Sequence, residues 1–464
     1  MRTVLLAFFA FTVLLVSGVA ASAAPRMLIG FYDDNSFRWS PDAQQNLLAA
    51  EKAGASIIHV TADWSQIAPT KPANPLNGND PAYKLKDLDT LVDGALRYGL
   101  GVMINISGAP KWANGGQPFN HPPTSVTTLA QFAQMLATRY NGHSGHGLVS
   151  RWSVWNEPNL QLFLTPQFEG NTIVSPREYL RLYLAAYRAI KRGNPQALVA
   201  VGETSNRGRN KPIAASSGVS DSVAPATFAY QLSRLDPHLP FDAWATHPYP
   251  TDPFLGPTQK VAFPNVTLTQ ITHFGQSLQK WFHRRVPIWI TEYGEQTKPQ
   301  FAAGVSYAQQ AKDAKTALQL AAASPYVEMF VWFTIRDSPG TWQSGLETMG
   351  GTKKPAYAAF ASVAKTLDGQ SQVVAPNRFA TVNVFAPFIA YHDPPGATVV
   401  VTYRVSLGNK LEHLEKTSAK VDAQQEVPVV VKFKPAKGKL YIATFNVVDK
   451  HGQRETQTVA LLPS

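Results

Sequence analysis

Two hydrophobic textures follow one another along the chain. Up to about residue 345, short runs that are apolar at consecutive positions recur at 27–31, 57–61, 101–106, 151–155, 198–201, 243–246, 288–291 and 327–333. Between them lie segments whose apolar residues return at helical spacing, such as Leu129, Phe132, Ala133, Leu136 and Tyr140, or Tyr179, Leu180, Tyr183, Leu184, Tyr187 and Ile190. Strands without polar alternation, each followed by an amphipathic helix, predict a parallel sheet buried on both faces. Eight such units predict an α/β fold, a closed (β/α)8 TIM barrel. An open doubly wound sheet is the alternative, disfavoured because no glycine-rich phosphate loop follows the first strand. The best-marked helix has Ser175 as N-cap, Pro176 at the first helical position, Glu178 closing a capping box and Gly193 at its end.

After residue 370 the period changes to two, at 398–405, 426–433 and 440–448, with Pro and Gly between the runs. That pattern predicts a small C-terminal β-sandwich of the immunoglobulin or fibronectin type. The expected division is a signal peptide at 1–23, a barrel at 24–369 and the sandwich at 370–464. The signal rests on Met1-Arg2, an apolar run from Thr3 and the small residues Ala21-Ser22-Ala23, which match a cleavage site. An uncleaved anchor helix is the other reading of this run. With the signal removed, no integral membrane span is expected, and the protein is placed outside the cell or at its envelope.

Composition narrows the picture. With 24 Phe, 16 Tyr and 10 Trp the chain has ample core material, which excludes general disorder. Zero Cys excludes disulfides, thiolate metal sites and a cysteine nucleophile. No metal or cofactor motif is visible, so none is expected. The net charge of +11 is not accompanied by any nucleic-acid-binding motif and suits an anionic surface or acidic glycan better. All ten Trp lie between Trp39 and Trp342, so the C-terminal module has none and reads as a structural element rather than a sugar-binding one.

Two carboxylates stand at strand ends. Glu157 follows the fourth strand in Trp155-Asn156-Glu157-Pro158, and Glu292 ends the seventh in Ile290-Thr291-Glu292-Tyr293-Gly294. In a parallel barrel these ends converge on one mouth, where two glutamates can divide acid/base and nucleophilic work on a glycosidic bond. On position alone both could equally be surface acids.

The surrounding words resemble the clan A glycoside hydrolases, (β/α)8 retaining enzymes. Besides the two glutamate segments, the matches are Thr246-His247-Pro248-Tyr249 at the sixth strand, Ala109-Pro110-Lys111-Trp112-Ala113 after the third, Val331-Trp332 on the eighth and Lys354-Pro355-Ala356-Tyr357 opening the last helix. They cover roughly residues 27–368, in order. The nearest groups are family 39, xylosidase-like, and family 5, cellulase-like; a clan arabinofuranosidase is a further option. The resemblance implies Glu157 as general acid/base, Asn156 holding the sugar 2-hydroxyl, Glu292 as nucleophile with Tyr249 donating to it, and His247 orienting the acid/base. It implies Trp332 stacking beneath the sugar and Trp112 at the cleft edge. His247 and Trp112 also admit ordinary core roles. One position departs: where many clan members carry Arg near the end of strand two, this chain has His59. Either another cation, with Arg38 as the candidate, or an acidic optimum would compensate. Tyr249 is expected to keep Glu292 ionised while Glu157 carries the raised pKa.

The reading that follows is a secreted retaining glycoside hydrolase acting on a poly- or oligosaccharide, anionic and cell-wall glycans included. The alternative is a non-catalytic carbohydrate-binding or envelope-scaffold protein that keeps the barrel.

Overall fold

The computed structural model of the protein describes residues 27–463 apart from 99, 143, 196, 253, 325, 339–341, 368–370, 387–388, 390–392, 408–409, 423–425 and 440. The expected signal segment and the expected domain boundary at 369/370 lie outside the described residues. The eight anticipated strands are all present: β1 Leu28–Tyr32, β2 Ile57–Asp63, β3 Gly101–Ser107, β4 Arg151–Val154, β5 Leu198–Ser205, β6 Ala243–His247, β7 Ile288–Tyr293 and β8 Val327–Phe333. They form a closed parallel barrel in the order β1-β8-β7-β6-β5-β4-β3-β2. Closure is made by β1 against β8, with Leu28 opposite Met329 and Tyr32 opposite Phe333.

The helices α1 Ala43–Lys52, α2 Lys86–Arg97, α3 Val126–Arg139, α4 Ser175–Gly193, α5 Pro225–Leu235, α6 Ile271–Phe282, α7 Tyr307–Ala322 and α8 Pro355–Leu367 each follow a strand in turn. Strand parity splits the apolar residues into two cores. Leu28, Ile57, Met103, Ala243, Trp289 and Met329 point inward and plug the lower barrel. Ile29, Ile58, Ile104, Trp152, Trp244 and Trp332 point outward and join the helices. Both sets are removed from water, which is why the strands read as continuous apolar runs.

Helix α4 corrects one detail. Its N-cap is Val174, and Ser175 already lies within the helix with its hydroxyl donated to Gln167 Oε1 at 2.8 Å. Glu178 pairs with Arg181, so the expected capping box does not form. Gly193 does end the helix, for a packing reason. A Cβ there would sit 2.8 Å from Ala137 Cβ on α3.

Beyond α8 come β9 Ser371–Val374, β10 Ala380–Phe385, β11 Thr398–Leu407, β12 Lys410–Lys420, β13 Glu426–Val431, β14 Tyr441–Val448 and β15 Arg454–Pro463. A five-stranded sheet in the order β9-β15-β14-β11-β12 shares one apolar core with the antiparallel pair β10/β13, through Val401, Tyr403, Phe445, Val427 and Val429. The module is antiparallel as expected except for β9, which runs parallel to β15. It lies beneath the barrel. A gap of about 300 Å³ separates Leu28, Arg151, Leu198 and Trp289, at or near the N-terminal ends of barrel strands, from Asn383 on β10 and Glu426 on β13. The barrel mouth is at the other end. No described helix is long and apolar enough to cross a membrane.

Candidate active site

At the mouth, strand irregularities aim the polar side chains. Between β7 and β8, Ile290 faces Phe330 and Tyr293 faces Trp332, so Thr291 and Glu292 together oppose the single residue Val331. Between β5 and β6, Gly202 faces Ala245 and Thr204 faces Thr246, which leaves Glu203 as the extra residue, in the left-handed region at φ +48°. A bulge turns a side chain that strict alternation would send elsewhere. Here the two bulges, with the turn after β4 that holds Glu157 at φ +36°, gather three carboxylates around His247.

His247 is completely buried. Its Nδ1 lies 3.0 Å from Glu157 Oε1 and 3.7 Å from Glu292 Oε2, and its Nε2 lies 2.8 Å from Glu203 Oε2. The oxygens of Glu157 and Glu292 can therefore be no farther apart than the sum of their distances to one nitrogen. For those two oxygens the limit lies at the lower edge of the roughly 6.5–9.5 Å range of inverting enzymes. Tyr249 donates its hydroxyl to Glu292 Oε2 at 3.0 Å, and Thr291 donates to Glu203 Oε2 at 2.8 Å. The side chains of Glu157 and Glu292 are 14% and 13% exposed, open to the cleft but largely dry.

Burial pushes Glu292 up to about 7, aided by Glu157 and Glu203 and opposed by His247 and Tyr249. The expected hydrogen bond from Tyr249 is thus formed, but it does not hold Glu292 at the ordinary carboxylate range as anticipated; desolvation wins. For His247 burial works against the charged ring, yet the surrounding carboxylates raise its pKa well above the ordinary value. Burial also opposes ionisation of Glu203, but the bond and charge of His247 outweigh it and hold that carboxyl low.

The cleft, about 560 Å³, is lined by Tyr32, Asn156, Glu157, Tyr249, Glu292 and Phe333 among others. A smaller polar chamber of about 180 Å³ adjoins it across Asn156, with Thr61, Asp63 and Ser107 in its wall. Phe163 borders both, whereas Phe168 is packed away. The two long loops after β4 and β5 are tied together: Asn159 donates to Val223 O at 2.9 Å and accepts from Ser205 N at 2.9 Å. Lys354 locks the loops after β7 and β8 by bonding Asp337 at 2.7 Å and Thr297 at 2.9 Å.

Four expectations are corrected. Trp332 does not floor the cleft: it is fully buried, points outward to Phe360, and donates to Ser344 O at 2.8 Å. Parity gives the cleft-facing place to Phe333, with Trp342 beside it. Trp112 braces a loop instead of edging the cleft, its Nε1 donating to Ala68 O at 2.7 Å and its ring edge-on to buried Trp64. His59 sits mid-strand and 2% exposed, its Nδ1 3.1 Å from Thr291 O. Burial lowers its pKa, so it is a neutral ring below the mouth and touches no substrate space. Arg38 is not the compensating cation, since Asp34 and Asp87 hold it. That place is taken by His247. Glu203 was missed altogether; its only signal was a lone carboxylate, Gly202-Glu203-Thr204, directly after an apolar run.

Glutamates at the ends of strands four and seven of a closed eight-stranded barrel are the arrangement of clan A glycoside hydrolases, retaining O-glycosyl hydrolases that cleave glycans. Within that class the chain belongs to glycosyl hydrolase family 5, the cellulase family, whose sequence profile matches residues 22–335. No curated protein matches it in sequence. Among solved structures the fold is similar to a family 39 glycoside hydrolase from the gut symbiont Bacteroides cellulosilyticus WH2, at 17% identity and TM-score 0.53, over 88% of this chain and 82% of that one. It is similar to a glucosidase from Croceicoccus marinus, at 13% and 0.55, over 89% and 94%. A family 5 enzyme (GH5_18) from Streptomyces cattleya in complex with GlcNAc aligns at 17% and 0.52, over 77% and 86%.

Proposed function

We propose that the protein is an exported enzyme that cleaves a poly- or oligosaccharide by double displacement, with Glu292 as nucleophile and Glu157 as general acid/base. The observation that carries the reading is the single His247 nitrogen within 3.7 Å of both carboxylates, which supports a close pairing of the kind a retaining mechanism needs. The cleft volume suits more than one sugar ring, and the charged-then-apolar leader ending in Ala21-Ser22-Ala23 supports export.

Ionised Glu292 attacks the anomeric carbon while Glu157 gives its proton to the departing glycosidic oxygen. A glycosyl ester on Glu292 results. Glu157, now a carboxylate, takes a proton from water; the hydroxide oxygen attacks the anomeric carbon and Glu292 leaves as carboxylate. With the Nδ1–H of His247 directed at Glu157 Oε1, the transferable proton is carried on Oε2. Asn156, in the wall beside Glu157, is placed to hold the sugar 2-hydroxyl.

Azide rescue on aryl glycosides tests the assignment. Glu292→Ala should lose turnover on every substrate, and azide should then yield a glycosyl azide of inverted configuration. Glu157→Ala should complete the first step only with activated leaving groups and give a retained azide product. The same stereochemistry in both variants, or the two patterns exchanged, contradicts the roles.

A further inference from the structure

Resting on this reading, we propose that Glu203 is a positioning residue of the reaction: from its bulge in β5 it fixes His247 as a doubly donating imidazolium, and through that ring it governs the ionisation of Glu292 and the choice of proton-bearing oxygen on Glu157.

A neutral imidazole has one N–H and one lone pair. Both nitrogens of His247 face carboxyl oxygens, at 3.0 and 2.8 Å, so whenever Glu157 is a carboxylate the ring satisfies both only by donating twice. Glu157 cannot secure this alone, because the mechanism protonates it in every cycle. Glu203 can. It is completely buried, receives a second bond from Thr291 Oγ1, and lies outside the cleft where no substrate touches it. The groups facing His247 are Glu157 after β4, Glu203 on β5, Glu292 on β7, His59 on β2 and Tyr249 beyond its own strand. Those around Glu203 are His247, His59, Thr291, Ser153 on β4 and Tyr179 on α4, whose hydroxyl accepts the neighbouring Gly202 N–H at 2.8 Å. His59 is neutral and Arg38 is engaged elsewhere, so His247 is the cation that serves Glu292.

The consequence has a sign. Without the Glu203 carboxylate, His247 loses the partner of its Nε2 proton and becomes neutral near pH 7. Glu292 then loses its neighbouring cation at 3.7 Å, while the negative charge removed with Glu203 lies one ring farther away. The nearer effect dominates, and Glu292 needs a higher pH to ionise.

The test is the Glu203→Gln variant of the full chain, read in two ways. The imidazole ¹⁵N shifts of His247 should stay in the protonated position from pH 5 to 8 in the wild type and titrate within that range in the variant. On aryl glycosides, the acid limb of kcat/KM should move up by about one pH unit, a loss of about tenfold at pH 6 that shrinks at pH 8. Glu203→Asp should restore most of the shift. A variant profile lowered uniformly without moving, or His247 neutral in the wild type at pH 6, overturns the proposal. If Glu203→Gln does not fold, Thr291→Val removes the other anchor of Glu203 and should move both readouts the same way by a smaller amount; unchanged readouts there overturn it. The ¹⁵N readout requires no turnover, so it stands or falls apart from the roles of Glu157 and Glu292.

Discussion

At the scale of single residues, the site is governed by the contest between burial and charge. Glu292 ionises near 7 in the free enzyme, so kcat/KM should fall below pH 7 with an apparent pKa close to that value. Tyr249→Phe removes the 3.0 Å donor to its carboxylate. The acid limb should move further up, and kcat/KM at pH 6 should drop by about 10- to 100-fold, the value of a hydrogen bond to a charged group of about 1.5–3 kcal/mol. A pH profile of the variant that overlays the wild type would remove Tyr249 from the account. A second carboxyl tests burial apart from catalysis. Glu295 is 2% exposed in the cleft wall, and burial and the neighbouring Asp313 raise it to about 9. Its unfolded value is about 4.3, so the folded form holds the extra proton between those limits and stability declines as pH rises through them. Glu295→Gln should therefore raise stability at pH 8 by on the order of 2–4 kcal/mol and change little at pH 4. Denaturant melts at the two pH values check the sign. Residue chemistry was legible wherever a strand end carried a distinctive word: Asn156, Glu157, Tyr249 and Glu292 line the cleft, and His247 lies buried against the two glutamates. Trp332 failed because its word was read without its parity, and Phe333, one residue on, takes the inward place.

Elements explain what the residues alone did not disclose. The strands were readable because a parallel barrel buries both faces, and the expected runs fall within a residue or so at their starts. Most of their C-terminal ends were cut short, at Val201 for a strand that continues to Ser205, since polarity returns where the chain turns toward the site; the fourth run overshot by one residue and the eighth ended where expected. The bulges are invisible to any strict two-residue period, and one of them carries Glu203. Gly202 makes that bulge sterically possible. It has φ +105°, and a Cβ on it would lie 2.6 Å from the Trp244 ring. Gly202→Ala should destabilise the protein by on the order of 2 kcal/mol and, by displacing Glu203, reproduce part of the pH shift of Glu203→Gln. A stable variant with an unaltered profile would show that the bulge does not set the position of Glu203. The missing capping box on α4 has a comparable origin: a tertiary partner, Gln167, claims the serine hydroxyl that local sequence assigned to the cap.

For the whole molecule, the cleft and the C-terminal module lie at opposite ends of the barrel. Position beneath the barrel was not readable from sequence, because the apolar residues at the strand starts look the same whether they meet a domain or the barrel's own plug. The arrangement predicts that the module supports stability and not chemistry. Ending the chain near Gly369 should expose Leu28, Leu198 and Trp289 and lower the Tm by several degrees, while kcat on a small aryl glycoside stays within about twofold. A truncated protein of unchanged Tm that no longer binds polymer would assign the module to the substrate instead.

The central claim is that Glu292 forms the covalent bond while Glu157 handles the proton, with His247 holding both. Its most direct measurement is trapping with a 2-deoxy-2-fluoro glycoside of a sugar the enzyme turns over, followed by mass spectrometry of the digested protein. The account predicts one glycosyl group per chain, on the peptide that contains Ile290-Thr291-Glu292-Tyr293, with the ester on Glu292. Label on Glu157, or steady turnover of the natural-configuration substrate with no trapped ester at all, would contradict it.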